Sequence, residues 1–307
     1  MGDRLLVGTR GSKLALAQTK LVLDLLEEAD GRFSFEVVPI KTAGDAGLSE
    51  ARGFTDGKSA FTGEIEKQLA EGGIDFAVHS MKDLPASSDE RLVIAATPPM
   101  GDARDALVSS SGSVFKALKQ DARVGTSSAR RRAQILAARK DIEVVEMHGN
   151  VETRLRKLET EKLDAVVLAA AGLNRLGLGS RITQAFATDE IVPAPCQGTL
   201  AVQARSKSSD VLALLGKVDD AATRAASECE RAFSQALGGD CDVPLGAHAG
   251  QRPGGLAAVG VLADPDGSYI VKASASGSPA QAKELGRRLA DKVVASGGDK
   301  ILKRLGR

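Results

Sequence analysis

The chain has 307 residues, 43% hydrophobic and 26% charged, which describes an ordinary soluble globular protein long enough for two or three domains and excludes a disordered or fibrous one. Its 41 Lys and Arg stand against 40 Asp and Glu, a formal charge of +1, so no net field draws it to nucleic acid or to an anionic membrane, and recognition by charge has to be local. The longest wholly apolar stretch, Ala165 to Ala171, is far below the ~18 to 20 residues that span a bilayer.

Residues 1–18 carry charge on both sides of a very short apolar run and lack the apolar core of a secretory signal, so a cytoplasmic protein is expected. Cysteines stand only at 196, 229 and 241, with no CxxC and no nearby His pair, which argues against a disulfide framework and against structural zinc. With one Tyr and no Trp, the platforms that stack single-stranded nucleic acid are largely missing.

In chain order, short apolar runs alternate with segments of helical period, the pattern of βαβ units and mainly parallel sheets. A strand at 5–8 precedes a helix opened by Ser12, with Leu14, Ala17, Leu21 and Leu25 on one face. A strand at 33–40, a helix at 63–71 and a strand at 74–78 follow. Strands at 92–97 and 105–109 flank Pro98, Pro99 and Gly101, where a first domain ends. A second series runs as strand 123–125, helix 128–139, strand 142–147, helix 151–160, strand 164–168 and a helix from 170. It closes at Val192-Pro193-Ala194-Pro195, after which 200–204 rejoins the first sheet. Two linkers between two similar α/β lobes imply a hinged cleft. From 217 the texture changes to a long helix reaching Leu237, strands at 256–263 and 268–275 and a helix at 279–295, a small α+β domain. The expected division is 1–98 plus 198–216, then 103–193, then 217–307.

One kind of junction recurs, in which an apolar strand ends in small or hydroxylated residues with a basic residue before a helix begins. It is seen at Thr9-Arg10-Gly11-Ser12, at His79-Ser80-Met81-Lys82-Asp83, at Gly125-Thr126-Ser127-Ser128 before Arg130-Arg131-Arg132, and at His148-Gly149-Asn150 before Thr153-Arg154. Carboxyl ends of strands line the ligand crevice of open α/β sheets, and amides at helix N-termini favour anions. Capping alone explains any one such turn. Four together, armed with guanidinium forks that match planar carboxylates, point to a ligand bearing many carboxylates. Successive helical residues point about 100° apart, so Arg130 and Arg131 are expected to face the ligand and Arg132 to point outward.

Asp83, beside Lys82, is placed to move a proton or to balance a developing cation, with a surface ion pair as the plain alternative. His79 and His148 are not at metal-ligand spacing, so no metal is expected. Cys241, in a glycine turn, is a candidate nucleophile or attachment point, although its neighbours Asp240 and Asp242 raise a thiol pKa. Cys196 and Cys229 read as core filler.

Residues 78–85 (VHSMKDLP), 124–131 (VGTSSARR), 149–155 (GNVETRL) and 171–177 (AGLNRLG), with a Cys in a glycine turn before Val-Pro, resemble the porphobilinogen deaminase family, also called hydroxymethylbilane synthases, over essentially the whole chain. The resemblance implies two lobes similar to periplasmic binding proteins plus the small C-terminal domain. It implies a dipyrromethane cofactor, one per chain, held covalently on Cys241. On that primer four porphobilinogen molecules are condensed head to tail with loss of ammonia, and the linear tetrapyrrole is then released by hydrolysis. Carried over, Asp83 is the catalytic carboxylate that stabilises the cationic azafulvene, and Lys82, Thr126, Ser128, Arg130, Arg131, Gly149 and Arg154 hold the cofactor. Arg10, Ser12, His148 and Arg175 hold substrate carboxylates, and Lys58 and Phe61 belong to a mobile loop. The implied protein is a monomeric transferase of tetrapyrrole and heme biosynthesis that binds neither nucleic acid nor membrane.

The chain departs from the family pattern in places. His148 stands where an Arg is usual, Ser59 and Ala60 replace glycines, Ala43 replaces a basic or hydroxyl residue, and residues 196–199 (CQGT) replace GQGA. Two other readings of the residues are a non-catalytic two-lobed anion-binding module, which has no use for Cys241 or Asp83, and a nucleic-acid binder suggested by Arg130 to Arg132 and the basic tail from Lys300 to Arg307.

Overall fold

The computed structural model describes residues 4–42, 59–85, 89–239 and 243–307. The chain starts as β1 (Arg4–Arg10), α1 (Lys13–Ala29), β2 (Ser34–Ile40), α2 (Ser59–Glu71), β3 (Phe76–Ser80) and β4 (Leu92–Ala96). A second series follows as β5 (Asp105–Ser109), β6 (Arg123–Gly125), α3 (Ala129–Ala138), β7 (Glu143–Val145), α4 (Val151–Thr160), β8 (Ala165–Ala169), α5 (Ala170–Arg175) and β9 (Gln184–Ala185). Then come β10 (Leu200–Arg205), α6 (Ser209–Leu215), α7 (Ala221–Ala236), β11 (Leu245–Arg252), β12 (Gly255–Ala263), β13 (Ile270–Gly277), α8 (Ala282–Val293) and α9 (Asp299–Arg304). Two compact units result, one from Met1–Met100 with Thr199–Arg224, the other from Gly101–Gly198 with Ala225–Arg307.

Each unit contains a five-stranded sheet of the same topology. In the first the order is β2-β1-β3-β10-β4, and in the second it is β7-β6-β8-β5-β9. The first three strands of each are parallel, and the fourth is a crossing strand that runs antiparallel to its neighbours. Both faces of each sheet are covered, which is why the strands read as continuous apolar runs. Alternation sorts their side chains. On β8, Ala165 and Val167 join Leu107, Val124 and Ile135 on one side, while Val166 and Leu168 join Ala106, Val108, Leu155 and Leu158 on the other. In the first sheet Val7, Phe76, Val78 and Val202 pack with Val22 and Leu26 of α1, and Ala77 packs with Ile65 and Leu69 of α2. The second unit also holds the antiparallel sheet β11-β12-β13, whose core includes Phe233 of α7 and Leu285 and Leu289 of α8.

Several expectations are corrected. The buried face of α1 is Ala15, Gln18, Thr19, Val22, Leu23 and Leu26, not Leu14, Ala17, Leu21 and Leu25, and Leu21 is 38% exposed. Apolar residues occur at nearly every phase of this helix, so period alone could not choose. Polar contacts mark the buried phase: the Gln18 amide meets Ser80 Oγ of β3 at 3.0 Å, and the buried Thr19 satisfies its own hydroxyl on the Ala15 carbonyl at 2.9 Å. β3 begins two residues later than expected because Asp75 leaves the strand to accept the Leu6 N–H at 2.8 Å. Four elements were not anticipated. β9 has two residues, α6 and α9 are short, and β11 (LGAHAGQR) lacks β-branched residues and is held by pairing along its length with β12.

Candidate active site

In the first unit, β1 and β3 are parallel neighbours, so their carboxyl ends share one sheet edge. β1 ends at Arg10, whose guanidinium carbon lies 4.5 Å from the ring centroid of Phe61, a cation–π stack. Ser12 is the N-cap of α1, its Oγ accepting the Ala15 N–H at 3.2 Å. β3 runs directly into one 3₁₀ turn, Met81–Asp83. Met81 donates its N–H to the Thr199 carbonyl at 3.0 Å, and Leu84 closes the turn on the Met81 carbonyl at 3.1 Å. Met81 and Leu84 are buried at 3% and 1% exposure, so the turn is anchored at both ends and presents Lys82 and Asp83, half-buried, at the edge. Arg10, Ser12, Phe61, Lys82 and Asp83 are therefore brought to one edge of this sheet.

In the second unit the junctions after β6, β7 and β8 again share an edge. Thr126 is buried, and its Oγ1 accepts the Ser128 N–H at 3.3 Å. Ser128 caps α3 through the Arg131 N–H at 3.4 Å, and Asn150 caps α4 through the Thr153 N–H at 2.8 Å. Gly149 takes φ +114°, and a Cβ there would come 2.7 Å from Thr153 Cγ2. Arg154 ties the two junctions together, donating from Nε to the Gly149 carbonyl at 2.8 Å and from Nη2 to Ser127 Oγ at 3.1 Å. Burial and the nearby Arg131 charge push its pKa down to about 10. Arg175 on α5 donates to the Gly198 carbonyl at 2.6 Å, and burial pushes it down to about 10 as well. His148 is exposed, with Nε2 3.1 Å from Glu146 Oε1.

Arg130 and Arg131 have a partner that the sequence reading missed. Asp105, the first residue of β5, is fully buried and accepts from Arg130 Nη1 at 2.5 Å and from Arg131 Nη2 at 2.7 Å. Burial alone would raise the Asp105 carboxyl, but the two guanidinium groups overcome it and hold the acid well below the usual carboxylate range. The remaining donors go largely to main chain: Arg130 Nη1 to the Val192 carbonyl at 2.7 Å and Arg131 Nη1 to the Val167 carbonyl at 3.0 Å. Both side chains are thus committed mainly to protein acceptors, while Arg130 Nε is buried without a partner and Arg132 is exposed. Gln197, also missed, donates to Asp105 Oδ1 at 2.9 Å and to the Ala103 carbonyl at 2.8 Å. An acid opening an otherwise apolar strand was the one available signal for Asp105; nothing local marked Gln197.

Cys196 and Cys229 are buried and in no disulfide, Cys196 Sγ lying 3.7 Å from the Ser227 carbonyl, and burial followed by the Glu230 charge pushes Cys229 up to about 12. Ala43, Lys58 and Cys241 lie outside the described residues. No helix among the described residues is long and apolar enough to cross a membrane.

The class defined by this arrangement is an α/β protein whose cationic side chains, backed by capped helix N-termini, collect at strand carboxyl ends where anions bind. Residues 5–213 match the model of "Porphobilinogen deaminase, dipyromethane cofactor binding domain", and residues 224–295 match "Porphobilinogen deaminase, C-terminal domain". The chain is 44% identical to a porphobilinogen deaminase of Syntrophotalea carbinolica over 96% of its own length and 94% of the relative's. It is 42% identical to one of Lysinibacillus sphaericus over 98% and 97%. Among solved structures, the methionine-binding protein MetQ aligns with 70% of this chain and 89% of its own, at a TM-score of 0.45 and 11% identity. The chain belongs to the porphobilinogen deaminase family.

Proposed function

We propose that the protein is a hydroxymethylbilane synthase, a transferase that joins four porphobilinogen molecules head to tail, releasing ammonia at each step, and then frees the linear tetrapyrrole by hydrolysis. The observation that carries this reading is the surplus of buried and half-buried positive charge at the junctions after β6 and β7: Arg130, Arg131 and the half-buried Arg154 stand against Asp105, which among the described residues pairs only with the first two. Buried guanidinium groups ask for anions, and Arg130 Nε, buried without a partner, asks for an acceptor. The residues present therefore fit a dipyrromethane, each ring of which bears an acetate and a propionate. Thr126, Ser128, Arg130, Arg131, Gly149 and Arg154, with Lys82, would hold it, and Cys241 would carry it through one thioether. When bound, it supplies the pyrrole carbon to which the first substrate is joined.

The chain's own residues do the rest. Arg10, Ser12, His148 and Arg175 bind substrate carboxylates, with the Phe61 ring limiting where the Arg10 guanidinium can point. The Asp83 carboxylate accepts the substrate's pyrrole N–H and stabilises the positive charge that grows on the ring as ammonia departs. Its 3₁₀ turn, fixed at Met81 and Leu84, keeps that carboxylate in place without reorganisation. Phe61 stands in the first turn of α2, Ser59–Glu71, and not in a loop as expected, so in this reading only Lys58 is left to a covering loop. We further place the enzyme in the cytoplasm as a monomer with three domains, 1–98 plus 198–216, 103–193 and 217–307, a division supported by the three separate sheets, and with neither nucleic acid nor membrane as partner. Intact mass of the purified chain tests the reading. An adduct of two linked pyrroles, absent from Cys241→Ser, is expected together with tetrapyrrole formation from porphobilinogen. An unmodified, inactive chain would instead favour a non-catalytic anion-binding module.

A further inference from the structure

The buried cluster beneath α3 is unbalanced for a structural ion pair. One carboxylate neutralises one guanidinium, yet Asp105, 0% exposed, sits between Arg130 and Arg131, exposed at 5% and 6%. Leaving one positive charge uncompensated in the interior is costly, and even a matched buried pair is often no more stable than apolar residues of similar volume. Fold stability alone therefore gives no reason for the second arginine.

The geometry shows how the surplus is held still. Asp105 Oδ1 accepts from Arg131 Nε at 2.9 Å, Arg131 Nη2 at 2.7 Å, Gln197 Nε2 at 2.9 Å and Arg130 Nη2 at 3.3 Å, while Oδ2 takes Arg130 Nη1 at 2.5 Å. The Val192 and Val167 carbonyls fix the far side of each guanidinium. Gln197 is itself braced on the Ala103 carbonyl, and its Oε1 lies 3.4 Å from Arg131 Nη2. Each arginine is thus gripped at several points, and Arg130 Nε is left without an acceptor. Arg154, close enough to Arg131 for the like charges to interact, extends the positive region to the N-terminus of α4.

We propose that Asp105 is a positioning residue for carboxylate binding: it fixes the aim of Arg130 and Arg131 while leaving them a net positive charge, and Gln197 is its brace. The proposal rests on the reading that these two arginines hold cofactor and substrate carboxylates. It carries a sign that simple electrostatics does not. Removing a negative charge beside an anion site should tighten anion binding if charge were all that mattered. If Asp105 positions, its loss weakens binding, because freed guanidinium groups no longer converge.

The test compares Asp105→Asn, Gln197→Leu and Arg131→Gln in the full-length chain, each measured for the fraction bearing the pyrrole adduct by intact mass, for KM and kcat with porphobilinogen, and for melting temperature. Asp105→Asn should raise KM and lower kcat/KM by about 100-fold, the cost of displacing a positioning group by an ångström, and should carry less adduct. Gln197→Leu, which keeps every charge, should move in the same direction by about tenfold. An Asp105→Asn chain that is folded with KM unchanged or lowered and full adduct would overturn the proposal. Should that variant fail to fold, Gln197→Leu decides: wild-type KM and adduct would overturn it. Arg131→Gln keeps the two failures apart. If it too behaves as wild type, the carboxylate reading of the arginines falls and the proposal with it; if it is impaired while the other two are not, only the proposal falls.

Discussion

Acidification should strip stability from the sheet that buries His79. This imidazole, 5% exposed on β3, has an Nε2 with no hydrogen-bond partner. Burial, opposed by the neighbouring Gln203 side chain and assisted by the Arg10 charge, lowers its pKa from 6.5 to about 4. Gln203 in turn donates to Glu66 Oε1 of α2 at 2.8 Å, so the charged groups facing this pocket come from both β1 and α2. Between the two pKa values the unfolded chain holds a proton that the folded chain refuses, so stability rises with pH across that window. His79's full contribution is present above about pH 6.5 and is lost as pH falls through about 4. At ~1.4 kcal/mol per pH unit, moving from pH 7 to pH 5 should cost about 2 kcal/mol through this one group. Urea unfolding at the two pH values, followed by far-UV circular dichroism because the chain has no Trp and one Tyr, measures the loss in wild type and in His79→Asn. Carboxylates titrate alike in both proteins and cancel. The variant should lose about 2 kcal/mol less than wild type over the same interval. Equal losses in the two proteins would refute the claim that His79 is kept neutral by burial.

Three substitutions probe the sheet edges. Gly149→Ala forces a side chain into φ +114° against Thr153 and should destabilise by about 2 kcal/mol, read as a lower melting temperature with the adduct retained; an unchanged melting temperature contradicts the strain. Phe61→Leu removes the ring over Arg10 and should raise KM for porphobilinogen about threefold with kcat little changed, as expected for a stack of ~0.5 to 1 kcal/mol at an exposed site. A fall in kcat alone would mean that Phe61 acts otherwise. Asp83→Ala should cut kcat by about 10³-fold while leaving melting temperature and adduct near wild type; rapid turnover by that variant removes Asp83 from the chemistry.

The α/β class and the return of 200–205 to the first sheet were legible because buried parallel strands leave unmistakable apolar runs, as at Ala165–Ala169, and because Pro98, Pro99, Pro193 and Pro195 punctuate the two crossings. What escaped depends on contacts distant in sequence. The buried face of α1 is marked by Ser80, which lies 62 residues from its partner Gln18. β11 exists because β12 pairs with it, not because LGAHAGQR favours a strand. The candidate site was legible as a set of residue types at strand ends, and the sheet topology explains their gathering: Arg10 and Asp83, or Thr126 and Arg154, sit far apart in sequence but follow adjacent parallel strands. Asp105 and Gln197 could not be read from spacing, since they meet Arg131 across 26 and 66 residues.

A formal charge of +1 over 307 residues conceals a strong local separation, and that separation links fold to function. Arg130, Arg131, Arg154 and Arg175 are all buried or half-buried, and Asp105 is the one acid ion-paired with any of them among the described residues. The lowered proton affinities of three of them record a folded state that opposes its own charge: Arg154 and Arg175 fall to about 10, and Arg130 is lowered by burial against the attraction of Asp105. A polycarboxylate that removes this opposition binds the folded chain and not the unfolded one, so the free energy released by neutralising the arginines appears twice, as affinity and as stability of the loaded protein. Guanidinium groups suit the task better than ammonium groups because they stay charged even at a pKa of about 10 and accept carboxylates in a fixed plane. The same logic suits the capped N-termini of α3 and α4: Ser128 and Asn150 each satisfy one amide of the first turn and leave the remaining N–H groups of that turn to the sheet edge, where the proposed function puts the carboxylates.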